Sequence, residues 1–159
     1  MGNYADFEIE FVQRTIDLIN QYNALIQETP FEQQYNYTLT LNCLLGLIVM
    51  PKERALSWIP ACRLTQELKS EMGLTESTLP GPEMTLKDLI LKMRHSIAHF
   101  SIEVISLDAN NLVDEIHFKE TDRDGNIYAR FSANEMLPFL NYYASVLVSN
   151  LERRPHKAG

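Results

Sequence analysis

Residues 86–107 read LKDLILKMRHSIAHFSIEVISL, and the spacing of their apolar residues changes part-way along. Leu86, Ile90, Met93, Ile97 and Phe100 fall in one narrow stripe when laid out at about 100° per residue, so they are expected to face the core from one side of a helix. From Ser101 onward the period drops to two, and SIEVISL alternates as a strand does. Thr85 with Asp88 has the spacing of a capping box and sets the start of the helix. The switch decides the fold class: a helical chain makes a short β excursion directly after this helix.

Two further strand-like runs follow, DEIHFKE at 114–120 and NIYARF at 126–131, separated from their neighbours by the turn-rich stretches DANN and TDRDG. Together with 101–107 they predict a small antiparallel meander inserted at about 102–131. Ser132 and Glu135 have the spacing of a second capping box. Leu137, Leu140, Ala144, Leu147 and Leu151 supply the stripe of a last helix ending near Arg153, and residues 155–159 are expected to form a frayed tail.

Upstream, a first helix is expected from about Ala5 to Gln27, where Ile9, Val12, Ile16, Ile19 and Ile26 recur at helical spacing and Thr29-Pro30 ends the run. A second, from about Phe31 to Met50, is apolar nearly all round over LTLNCLLGLIVM, as a central or partner-covered helix would be. PKERALSWIPACRL reads as irregular. Arg63 to Met72 makes a short helix closed by Gly73, and TESTLPGPEM is a loop. The expectation is a mainly α chain, residues 1–154 forming one helical domain with the strand insertion before its last helix.

Composition limits the function. The chain has 159 residues and a formal charge of −7, which does not suit a protein that coats nucleic acid through a broad basic surface, since each phosphate contact needs Lys or Arg. Any such contact must be local. Cys43 and Cys62 lack a CxxC spacing and are expected to pack as buried or partly buried thiols. The N-terminus MGNYADFEIE does not resemble a secretory signal, which together with the cysteine usage points to a reducing cytoplasmic setting. The apolar run around Leu44 to Met50 falls far short of the roughly 20 residues of a membrane helix, so no membrane partner is expected. His117 reads as a surface strand histidine and His156 as part of the tail. Trp58, Tyr35, Tyr37, Tyr142 and Tyr143 read as fillers of helix interfaces.

What remains is MRHSIAHF, residues 93–100. On the helical wheel His95 and His99 lie one turn apart on the side away from the core stripe, with Leu91 and Ala98 beside them and Arg94 at the border. A face that mixes Leu, a small Ala and titratable groups behind a used core stripe points to a second surface packing there, and a subunit interface involving Leu91 and Ala98 is inferred. Three readings of the histidines stand side by side. They are solvated polar residues; or a metal pair at i and i+4, which lacks the glutamate of HExxH and would need Glu103 or another carboxylate as third ligand; or the acid–base group of metal-free phosphoryl chemistry, with the arginine fork on the phosphate.

Arg94-His95-Ser96-Ile97-Ala98-His99 resembles the R-x(4–6)-H signature of the HEPN superfamily, in which a polar Asn, Asp or His commonly follows the Arg, as His95 does here. Paired long N-terminal helices, a late motif helix, a strand insertion and a closing helix resemble a plasmid- or phage-defence-associated bacterial branch. The resemblance implies a HEPN-like helical bundle and a metal-independent endoribonuclease with no cofactor, its site formed where two motif helices meet across a homodimer axis. His99 would then be the general acid or base, Arg94 the holder of the scissile phosphate and His95 a supporting group. It further implies a short single-stranded RNA as substrate and an antitoxin or defence-system partner, with a catalytically silent HEPN-like dimer, acting as a scaffold or as a nucleotide- or protein-binding module, as the alternative. Members paired with nucleotidyltransferase antitoxins often read H-x-Y, whereas this chain reads His99-Phe100-Ser101, so tyrosine modification there is not expected. Lys87, Lys92, Arg94 and the histidines are expected to make a local positive cleft.

Overall fold

The computed structural model describes residues 3–30, 33–50, 57–107, 113–122 and 124–153. Among these, the helices are α1 (Phe7–Leu25), α2 (Asn36–Val49), α3 (Gln66–Glu71), α4 (Leu86–Ala98) and α5 (Met136–Glu152). Strands β1 (Ile102–Ile105), β2 (Glu115–Lys119) and β3 (Ile127–Ser132) lie between α4 and α5. The architecture is mainly α with a small antiparallel sheet ahead of the last helix, as the change of period predicts. The turn at 108–111, residues 31–32 of the expected second helix, residues 51–56 and the tail from 154 lie outside the described residues.

Helices α1, α3 and α4 begin where the sequence supplies a side-chain cap. The Asp6 carboxylate accepts from the Glu8 and Ile9 amides at the start of α1, and the Thr65 hydroxyl accepts from Leu68 at the start of α3. That cap makes α3 shorter than the expected 63–72, because Arg63 instead pairs with Thr85 in an isolated bridge. Leu64 donates to the Met84 carbonyl and Leu86 to the Cys62 carbonyl, so this bridge clamps the entry to α4. The capping box of Thr85 and Asp88 is formed in both directions. Gly73 closes α3 at φ 75°, and a Cβ there would come within 2.6 Å of Pro138, so both backbone and space demand glycine.

α2 packs against α1, α4 and α5, which accounts for its nearly all-round apolar sequence. Leu44, Leu47 and Ile48 from α2 meet Leu86, Leu89, Ile90 and Met93 from α4 and Phe139, Leu140 and Tyr143 from α5 in the core. β2 lies in the middle of the sheet and pairs antiparallel with both neighbours, Ile102 opposite Phe118 and Phe118 opposite Ala129. A file of rings, Phe118, Phe131, Phe139 and Tyr143, carries the sheet's inner face into the helical core at centroid spacings of 5.7, 5.0 and 6.5 Å.

Four expectations about burial and capping fail. His117 is not on the surface: it is 8% exposed, because the central strand leaves it flanked by Glu103 and Arg130 across the sheet while Glu115 meets its Nε2 at 2.6 Å. Ser132 and Glu135 do not form a capping box. A 3₁₀ turn at Ala133–Glu135 precedes α5, and the Glu135 carboxylate instead accepts from the Thr75, Glu76 and Ser77 amides and the Thr75 and Ser77 hydroxyls at 2.6–2.9 Å. Burial of Glu135 pushes its carboxyl up, but these five donors outweigh it and hold the group at about 2. Tyr35 and Trp58 are exposed rather than packed in helix interfaces. Phe100, the fourth, belongs to the site.

Candidate functional site

α4 delivers the motif to the surface. Its inner side, Leu86, Leu89, Ile90, Met93 and Ser96, is buried, and Ile97 packs partly against the core. Leu91, His95, Ala98 and His99 are exposed and Arg94 is half-buried at the border, the arrangement the wheel predicts. The helix brings His95 and His99 together, their rings tilted by 59° with centroids 4.5 Å apart. Beneath the border, the Arg94 charge is near enough to act on the buried phenol of Tyr143 in α5. Burial pushes that phenol well above its usual range and Arg94 works against the shift.

The helix stops earlier than its apolar stripe. His99 is its C-cap, and Phe100 takes φ 54°. The Phe100 amide donates to the Ile97 carbonyl at 3.2 Å and the Ser101 amide to the Ser96 carbonyl at 2.8 Å, which is the Schellman closure. That turn swings Phe100 out of the stripe, so the residue expected in the core is 95% exposed. The helical period holds only while the backbone is helical, and here it ends one residue before the ring.

Ser96, inside the motif, was missed as a structural partner because its contacts are distant in sequence. Its hydroxyl donates to the Lys119 carbonyl at 2.8 Å and meets the Tyr128 hydroxyl at 2.8 Å, tying the motif helix to β2 and β3. Burial pushes the Tyr128 phenol up to about 12, the Ser96 hydrogen bond opposing and Glu120 adding to the shift. Lys92 joins this clasp. Its Nζ pairs with Glu120 at 2.5 Å and lies 4.5 Å from the centre of the Tyr128 ring. The ammonium expected in a positive cleft is therefore turned to the sheet, leaving Lys87, Arg94 and the histidines. Glu103, the carboxylate considered as a third metal ligand, pairs with Lys119 at 2.6 Å. Among the described residues no group of three or more His, Cys, Asp or Glu is placed to hold a metal ion. Cys43 is buried and Cys62 partly so. None of the described helices is long and apolar enough to cross a membrane.

The arrangement can bring a cationic fork and two imidazoles to one exposed edge of a rigidly docked helix. Arginine binds a phosphate in two-pronged fashion and an imidazole moves protons, so the residue types suit a phosphodiester. A family model described as HEPN pEK499 p136 matches residues 1–154. No curated protein and no solved structure matches the chain.

Proposed function

We propose, from the premise that this chain belongs to the HEPN pEK499 p136 family, that it is a metal-independent endoribonuclease acting at a site shared by two copies of the chain. The HEPN family includes RNases, and its domains often form dimers and bind RNA. The observation that carries the reading is the exposed edge of α4, where Arg94, His95 and His99 stand on a helix whose inner side is already filled.

In the proposed reaction the ribose 2′-oxygen attacks the adjacent phosphorus. A base takes the 2′ proton, the bond from phosphorus to the 5′-oxygen breaks, and an acid returns a proton to that leaving oxygen. The products are a 2′,3′-cyclic phosphate and a 5′-hydroxyl. His99 serves as the acid or base, Arg94 holds the scissile phosphate and offsets the charge gathering on it, and His95, in ring contact with His99, supports the pair. Leu91 and Ala98 form the contact between the two motif helices, Ala98 being small enough to let them approach. Residues 1–154 act as one domain, in the setting of toxin–antitoxin or phage-defence control by a protein partner. One observation favours a second reading, a catalytically silent scaffold or a nucleotide- or protein-binding dimer: the charge of −7, with Lys92 already paired, gives RNA a weak electrostatic grip.

The deciding experiment incubates purified protein with single-stranded RNA in excess EDTA and identifies the product ends. Cleavage that weakens with salt and leaves 2′,3′-cyclic phosphates is expected. Strict dependence on added zinc or magnesium overturns the mechanism, and a protein that binds RNA without cutting it favours the silent dimer.

A further inference from the structure

Phe100 is held in a costly arrangement. The turn that closes α4 requires left-handed backbone at this position, where glycine is the residue without a steric penalty and a bulky aromatic is among the least suited. A large side chain in such a place usually repays its strain by packing, yet 95% of this residue is open to solvent, so its own fold gains almost nothing from the ring. It directly follows His99, whose imidazole is exposed and in contact with that of His95. An exposed aromatic therefore stands one residue from the groups that would handle a phosphate.

The charge distribution says what such a ring would contribute. With a net charge of −7 and Lys92 committed to Glu120, few cations are left at the edge of α4 to hold a nucleic acid by its backbone. Contacts that do not depend on charge then carry more of the binding of a single strand, and stacking of a base on an aromatic face is one of these. We propose that Phe100 is a stacking platform for an unpaired base of the substrate RNA, placing the neighbouring phosphodiester against Arg94 and His99; this deepens the nuclease reading and rests on it. A base is favoured over a second copy of the chain because Phe100 directly follows His99, the residue proposed to act on the phosphate. Stacking is tolerant of sequence, so the platform selects unpaired RNA without selecting a particular base.

The test uses the full chain and a fluorescein-labelled 12-nucleotide single strand with 2′-O-methyl riboses, which cannot be cut, alongside the same strand carrying abasic positions at its centre. Wild-type protein should bind the intact strand on the order of tenfold more tightly than the abasic one by anisotropy. Phe100→Trp should keep that preference and Phe100→Leu should lose it. Phe100→Gly should lose it while melting about 2–4 °C higher, because the backbone strain is relieved as the ring is removed. This opposed pair of effects is one that a purely structural role cannot give. The proposal is overturned if Phe100→Leu retains the preference for bases, or if wild type binds neither strand. It is equally overturned if both small variants become monomeric while still preferring the intact strand, which would make the ring a contact between copies. Base-dependent binding by wild-type protein that fails to cut unmodified RNA would sink the nuclease reading and leave the platform standing.

Discussion

Replacing Glu135 by glutamine keeps the shape of the side chain and removes the charge that five donors converge on. Glu135 is 6% exposed, with Oε1 accepting from the Thr75 amide, the Thr75 hydroxyl and the Glu76 amide, and Oε2 from the Ser77 amide and hydroxyl. Whichever oxygen becomes an amide nitrogen would point a donor at donors. The folded carboxyl titrates at about 2 against an ordinary 4.5. A depression of that size corresponds to roughly 3 kcal/mol of stability from the ionised group. The sign follows from the direction: a lowered folded value gives stability that is complete above the unfolded value and is lost as pH falls through the folded one. About half or more of it should be gone by roughly pH 3. Urea unfolding of wild type and Glu135→Gln at pH 7, 5 and 3 checks this, and the difference between the two proteins isolates Glu135 from other carboxylates. A gap of roughly 3 kcal/mol at pH 7, nearly unchanged at pH 5 and much reduced at pH 3, is expected. A gap below about 0.5 kcal/mol, or one that does not change with pH, would refute the claim that this carboxylate locks the 75–77 loop to the start of α5.

Arg94→Ala and His99→Ala should each abolish RNA cleavage, and His99→Ala should move stability by about half a kcal/mol or less, since His99 is exposed; a several-degree loss of melting temperature in His99→Ala would mark the residue as structural. Ala98→Arg should give inactive monomers on size-exclusion chromatography, because a two-fold axis would set the same exposed position of both chains together, and an active monomer would show that one motif suffices.

The parts of the fold that could be read in the sequence are those governed by local geometry. The stripe of α4 as far as Ile97 and the capping box of Thr85 and Asp88 depend on residues within a turn or two of each other, so fixed angles per residue find them. The exposed placement of Leu91, His95, Ala98 and His99 follows from the same arithmetic. What was hidden depends on distant partners. Glu135 takes its donors from 58 to 60 residues away, and Ser96 and Lys92 find Tyr128 and Glu120 only once the sheet folds back on α4. His117 is buried because it lies in the middle strand, a position no periodicity reports.

Phe100 is a different kind of failure. Glycine or asparagine at a helix C-terminus announces a left-handed turn, and neither is present at 99–101, so the stripe ran on one residue too far. The turn is there because the Ser96 and Ile97 carbonyls need the partners that Ser101 and Phe100 supply, and because Ser101 must lead into β1. Local chemistry would be better served by glycine; the ring costs the fold strain and gives it almost no burial. Residues that contradict their local rule without compensation from the core are expected at functional sites. Phe100 fits that description beside the proposed site, and the opposed effects expected of Phe100→Gly on melting and on binding test it in one variant.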